Sequence, residues 1–242
     1  MFCPHCGSAV GEHQAFCHAC GGSIDQRSPI DAPQEKTAWE RRQETGILRG
    51  LLSTLRESLF SPTAFFRKMT VNGGLAEPTM YAMITGMAGI TLLVVWQILF
   101  QDSMPMPGGV KDAGRGSAFW GILAPFFIIA NLYLWAGMLH ILLVMVRGVR
   151  QGYEATFRVA AYSYGAMVFL AVPFCGWPVA AAWSAILAVI GLKEVQGASG
   201  GKAAFAVLFP AFLCCAATAL FAVLVFGTLA ASFGAMTHHS WK

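Results

Sequence analysis

Charge is what this sequence has least of. Only 12% of its 242 residues are Asp, Glu, Lys or Arg, about half the roughly 25% of a soluble globular domain. From residue 159 to residue 192 there are 34 consecutive positions without a formal charge. That shortage excludes an ordinary water-soluble fold and places the chain in the membrane class. Residues 1–26 contain no Lys or Arg, so they lack the basic footprint that nucleic-acid binding needs. Residues 1–70 hold no long apolar stretch. Nothing there resembles a signal peptide, and the N-terminal segment is expected to stay in the cytosol. No H-E-x2-H, G-x-S-x-G or P-loop motif occurs, no uncharged run carries paired acids, and Ser163 and Ser184 stand alone. A catalytic function is not expected.

The 34-residue run is informative in itself. As one helix it would reach about 51 Å, well beyond a hydrocarbon core of about 30 Å. Its middle reads Pro173-Phe174-Cys175-Gly176-Trp177-Pro178, a turn signal. Two membrane helices joined by a tight turn are therefore expected. Arg158 is expected to snorkel to the surface from a helix that starts near Glu154. Ala161-x3-Gly165 and Ala181-x3-Ala185 are small-x3-small patterns that permit close helix approach. Tyr162 and Tyr164 are candidates for interhelical hydrogen bonds. Further uncharged runs cover 78–101, 116–146 and 203–233, giving five expected spans, with Pro210 expected to kink the last.

With the N-terminus in the cytosol, thirteen of the sixteen Lys and Arg residues fall on the cytosolic side and three on the other. This asymmetry follows the positive-inside rule. It predicts a multi-pass protein of the cell (inner or plasma) membrane with its C-terminus on the opposite side.

Seven cysteines are present. Four of them form Cys3-Pro4-His5-Cys6-Gly7 and Cys17-His18-Ala19-Cys20-Gly21. Each C-x2-C sets two thiolates on one knuckle, and two facing knuckles complete the tetrahedral four-sulfur site that zinc favours. A piece of 24 residues is too short to fold on its own core. Zinc binding in small fingers supplies about 10–16 kcal/mol. One structural Zn2+ held by Cys3, Cys6, Cys17 and Cys20 is the expectation. A thioredoxin-like redox motif would need a βαβ context. Haem attachment would need a histidine where Gly7 and Gly21 stand. His5, His13 or His18 in place of one cysteine remains an alternative. The pattern over residues 2–24 resembles the short zinc ribbons that open prokaryotic membrane proteins.

Residues 25–46 are polar, carry Pro29 and Pro33, and read as a flexible linker. Within residues 47–69 an amphipathic interfacial helix is expected. Ile47, Leu48, Leu51, Leu52, Leu55 and Leu59 share one face, and Phe60, Phe65 and Phe66 lie beside Arg67 and Lys68. Such a helix either lies in the headgroup layer or packs on the ends of the membrane helices. Asn131 and His140 fall inside the second span, where a titratable residue is a functional candidate. His140 lacks an acidic partner in any span, and a satisfied, hydrogen-bonded histidine is the plainer reading.

Several stretches resemble the Yip family domain. These are Leu59-Phe60-Ser61-Pro62-x2-Phe65-Phe66, Thr156-Phe157-Arg158-Val159-Ala160-Ala161-Tyr162, and Pro173-x2-Gly176. The run from Trp183 through Gly191-Leu192-Lys193-Glu194-Val195-Gln196-Gly197, followed by Lys202-Ala203, completes the match. The resemblance covers about residues 55–230 and implies the five-span plan. The family is named for proteins that interact with Rab-type GTPases, and eukaryotic relatives are linked to vesicle traffic.

The expected architecture is thus an all-α polytopic membrane protein. It comprises a zinc ribbon (1–24), a linker (25–46), an interfacial helix (47–69), a five-span domain (70–233) and a short tail (234–242). The expected function is a membrane platform or adaptor whose ribbon contacts a cytosolic or membrane protein partner. Membrane lipids, and a second copy of the chain, are further expected partners. A small-solute or ion transporter using the Gly/Pro-broken hairpin and His140 is the alternative.

Overall fold

The computed structural model describes residues 34–100 and 113–239, together with residues 8, 9 and 18–20. Among the described residues the elements are helical. The chain forms α1 (Arg42–Thr45), α2 (Ile47–Phe60), α3 (Pro62–Lys68), α4 (Ala76–Phe100), α5 (Ala113–Met145) and α6 (Tyr153–Ser163). A 3-10 helix (Tyr164–Ala171), α7 (Gly176–Gln196) and α8 (Gly200–His239) follow.

Local signals set several boundaries. Gly46 separates α1 from α2 with φ 90°, a left-handed conformation that costs glycine little. Pro62 opens α3 at a position where its missing N–H has no helical partner to lose. Gly197, φ 62°, ends α7 as a left-handed cap.

Four stretches are long and apolar enough to cross a membrane: Ala76–Phe100, Leu123–Met145, Gly176–Gln196 and Gly200–Phe221. Their outer faces expose Leu99, Phe126, Leu134, Ile186, Phe212 and Phe221 among other large apolar side chains. In water such a surface would aggregate, whereas lipid tails cover it at no cost. Pro125 and Pro210 lie inside their helices, as membrane helices tolerate.

The remaining expected span departs from a continuous α-helix. It begins as α6 and tightens into the 3-10 helix at Tyr164. Nine of the eleven α6 residues, Ala155 through Ser163, are buried. One end of this compound segment meets the start of α4, where Arg158 Nη1 donates to Gly74 O at 3.1 Å. The other end meets the end of α4, where Trp96 Nε1 donates to Ala171 O at 3.2 Å. The segment therefore runs parallel to α4 over its length. It runs antiparallel to α5, with His140 beside Thr156 and Asn131 beside Tyr164. It is also antiparallel to α7, with Ser184 beside Ser163 and Trp183 against Phe169. Lipid-facing helices thus surround an interior one.

Small residues make that centre. A Cβ added to Gly191 would stand 2.5 Å from Val159 Cγ1 and 3.2 Å from the Phe66 ring. One added to Gly165 would stand 2.7 Å from Tyr81 Oη. Gly191→Leu is expected to overpack this crossing and destabilise the bundle by about 1–3 kcal/mol. Thermal unfolding in detergent checks this, and an unchanged midpoint would remove Gly191 from the packing argument.

Candidate functional site

The described residues converge most strongly at one end of the bundle, where residues 34–46 lie across the starts of α4 and α6. Read from sequence as the second half of a linker, this stretch forms a strap. Glu35 makes an isolated parallel bridge with Met69, through Glu35 N–H to Lys68 O at 2.6 Å and Thr70 N–H to Glu35 O at 3.1 Å. Trp39 is 1% exposed. Its backbone N–H donates to Thr54 Oγ1 at 2.8 Å and its indole N–H to Glu77 O at 2.9 Å. Its ring stands edge-on to Tyr81, centroids 6.3 Å apart. Arg42 lies over the Trp39 ring with its Cζ 4.4 Å from the centroid and pairs with Glu77. The hydrogen bond to Glu77 raises the Arg42 pKa above its ordinary value. A tryptophan so enclosed contributes both apolar area and two fixed hydrogen bonds.

Behind Trp39 lies an ion pair. Arg158 has a side-chain exposure of 0% and Glu40 one of 7%, and Arg158 Nη2 pairs with Glu40 Oε1. Glu154, one turn before Arg158, stands 4.0 Å from its Nη1. Glu154 also accepts the N–H groups of Gly73 and Gly74 at 2.6 and 2.5 Å. The loop before α4 is thereby folded down over the guanidinium. Thr37 Oγ1 and Tyr162 Oη share a hydrogen bond at 3.0 Å, so the strap is tied to α6 twice. Arg158 does not snorkel. Its charge is met inside the protein, because a buried guanidinium without a carboxylate would carry a large desolvation cost.

A second link joins α3 to α7. Arg67 Nε and Nη2 both reach Glu194 Oε2 at 3.1 Å, and the Glu194 side chain is 5% exposed. Meanwhile α2 buries Gly50, Thr54, Ser58 and Leu59 and exposes Ile47, Leu48, Leu52 and Phe60. It packs on the bundle with its small and polar residues and presents several of its leucines outward. Of the two expected placements of this helix, packing against the bundle is the one seen here.

Thr156 organises a third group. His140 Nδ1 and Thr156 Oγ1 are 3.0 Å apart, and Gln196 Nε2 donates to the same hydroxyl at 2.9 Å. His140 also meets Tyr153 edge-on at 5.7 Å. Tyr164 Oη donates to Asn131 Oδ1 at 2.8 Å. Both candidates in the second span are therefore hydrogen-bonded parts of helix contacts.

Of the expected zinc ligands, Cys3, Cys6 and Cys17 lie outside the described residues, and Cys20 is exposed in the turn 18–20. Among the described residues no group of three or more His, Cys, Asp or Glu side chains comes together. Sequence reasoning did not single out Glu40 or Thr37, and placed Gln196 in a family motif without a role. The available signals were a tryptophan in a polar stretch and an arginine entering a long uncharged run.

Apolar helices around a polar interior helix, with an N-terminal strap closed on it by a buried ion pair, define a multi-pass integral membrane protein. The chain belongs to the Yip1 family: its residues 56–222 match the Yip1 domain. No curated protein and no solved structure matches it.

Proposed function

We propose that this protein is a non-enzymatic membrane platform that presents its N-terminal residues to a protein partner at a fixed place on the membrane surface. The observation that carries this reading is the closure of the strap on α6 through Trp39 and the Glu40–Arg158 pair. A segment fixed at residues 34–46 gives the chain a defined attachment point on the bundle. The four cysteines Cys3, Cys6, Cys17 and Cys20 hold one Zn2+ and order residues 1–24 as the contact module. Membership of the Yip1 family, whose members are associated with membrane traffic through protein partners, supports a binding role over catalysis.

In this reading the α6 and 3-10 segment is the fifth crossing. Eleven α-helical and eight 3-10 residues span about 32 Å, close to the hydrocarbon thickness. The strap end faces the cytosol, following the distribution of Lys and Arg. A reporter fused at Ser117 that reads as cytosolic would reverse this orientation.

In-membrane cross-linking with mass spectrometry, comparing the full chain with one lacking residues 1–24, tests the platform. Partners that depend on residues 1–24 are expected, and identical partner sets would reduce the head to a passive cap. For the ribbon, Cys17→Ser/Cys20→Ser is expected to abolish the single equivalent of bound zinc in purified protein. Retained zinc would remove these ligands. The transporter alternative has less support, because His140 is engaged by Thr156 and Tyr153. Proteoliposome flux lost in His140→Ala is what it would require.

A further inference from the structure

The end of the bundle that carries the strap also carries a cavity that the clamp does not use. It opens between the end of α5 and the α7–α8 turn and has a volume of about 310 Å3, at the lower end of small-ligand sites. Arg147, Arg150, Lys202 and Ser199 line it, with the backbone of Gly148 and Gly197, and no acidic residue lines it. Among the described residues Arg147, Arg150 and Lys202 form no ion pair, a state they share with Lys36, Arg41, Arg49 and Arg56, but these three converge on one concavity.

The walls are held in place. Buried Gln196 accepts the N–H groups of Arg150 and Gln151 through its Oε1, at 3.0 and 2.8 Å. Lys202 Nζ donates to Arg147 O at 3.0 Å, which joins the start of α8 to the end of α5. Arg147 itself sits at φ 52°, a left-handed conformation that disfavours a side chain. Ser199 immediately precedes α8. An added Cβ at Gly200 or Gly201 would meet nothing within 4 Å, so no side chain crowds the first turn of α8 at these positions.

We propose that this cavity binds a phosphate group, carried by an anionic lipid headgroup or by a free phosphate. Two guanidinium groups offer forked donors that match phosphate oxygens, the ammonium adds a third positive charge, and the N-terminus of α8 adds its dipole. A phosphate offsets the repulsion among three cations in one concavity. Because α5 and α8 contain candidate spans, the cavity sits at the ends of membrane helices, where headgroups lie.

The test uses the full chain in nanodiscs. In phosphatidylcholine discs, inorganic phosphate is titrated and the unfolding midpoint followed. In mixed discs, native mass spectrometry counts retained phosphatidylglycerol. Either a phosphate-dependent rise or retained phosphatidylglycerol is expected. The first alone identifies the soluble anion as the source, and the second alone identifies the lipid. Arg147→Gly and Arg150→Gln are each expected to weaken the effect roughly tenfold. Arg49→Gln, an exposed change on α2, is expected to leave it unchanged. Arg147→Gly relieves the left-handed backbone, and its unliganded unfolding midpoint, expected at or above wild type, separates lost binding from lost folding. The proposal is overturned if neither ligand has an effect, if both cavity variants bind as wild type does, or if Arg49→Gln loses as much as they do.

Discussion

Glu40→Gln is expected to destabilise the folded protein by about 3–5 kcal/mol, the cost of leaving one partner of a buried ion pair without the other. Total stabilities of domains are about 5–15 kcal/mol, so this single change consumes a large share. The reason lies in the surroundings of Arg158. Its remaining contacts are Gly74 O at 3.1 Å and the Glu154 carboxylate at 4.0 Å. Glu154 is meanwhile engaged by the N–H groups of Gly73 and Gly74. One neutral amide in place of Glu40 leaves a fully enclosed guanidinium with a single distant counter-charge. Thermal unfolding in detergent reads the loss. The double change Glu40→Leu/Arg158→Met removes both charges and is expected to recover most of the stability, since apolar replacements of buried pairs are often neutral or better. A double variant as unstable as Glu40→Gln would show that packing, and not charge, governs this position.

Trp39→Ala is expected to cost about 3–5 kcal/mol at the strap, with a different outcome for the rest of the molecule. Trp39 belongs to the strap and not to a membrane helix, so its removal detaches residues 34–46 while the bundle persists. Cleavage by trypsin at Lys36, Arg41 and Arg42 is expected to accelerate, while helical circular dichroism stays the same. Trp39→Phe keeps most of the ring contact with Tyr81 and gives up the indole bond to Glu77 O, an expected loss of about 1 kcal/mol. Unaltered proteolysis in Trp39→Ala would mean that the strap is held by its other contacts alone.

The four long apolar stretches were legible because each is bounded by charges or turn residues and has little other use for its composition. The break before α7 was legible for the same reason, though the turn is confined to 173–175 and Gly176–Pro178 already belong to α7. The change from α to 3-10 geometry at Tyr164 was not, because residues 164–171 carry the same apolar character as their neighbours and no proline. The behaviour of Arg158 was misread because its only nearby acid in sequence is Glu154. Its true partner lies 118 residues earlier, in a stretch whose polarity reads as linker. Local composition cannot report a pair of that separation. The close-approach pattern on α7 was displaced by one residue. Gly176, Ala180, Ala188 and Gly191 are buried, while Ala181 faces outward, since helix phase is set by the partner and not by the small residues themselves. At the candidate site, Arg67 read as a headgroup-facing cation and Glu194 as part of a family motif, and only the fold brings them together.

The enclosed α6 also bears on how the protein is made. The ribosome releases Glu40 long before Arg158, so during synthesis the strap waits in water with its carboxylate solvated. Meanwhile α4 and α5 can enter the bilayer on their own apolar character. The α6 segment, with Arg158, Thr156, Tyr162 and Ser163 all buried, has poor reason to partition into lipid alone. It gains a favourable place only when α4, α5 and α7 surround it. Closure of the strap through Glu40 and Thr37 therefore requires that Arg158 and Tyr162 already be in place.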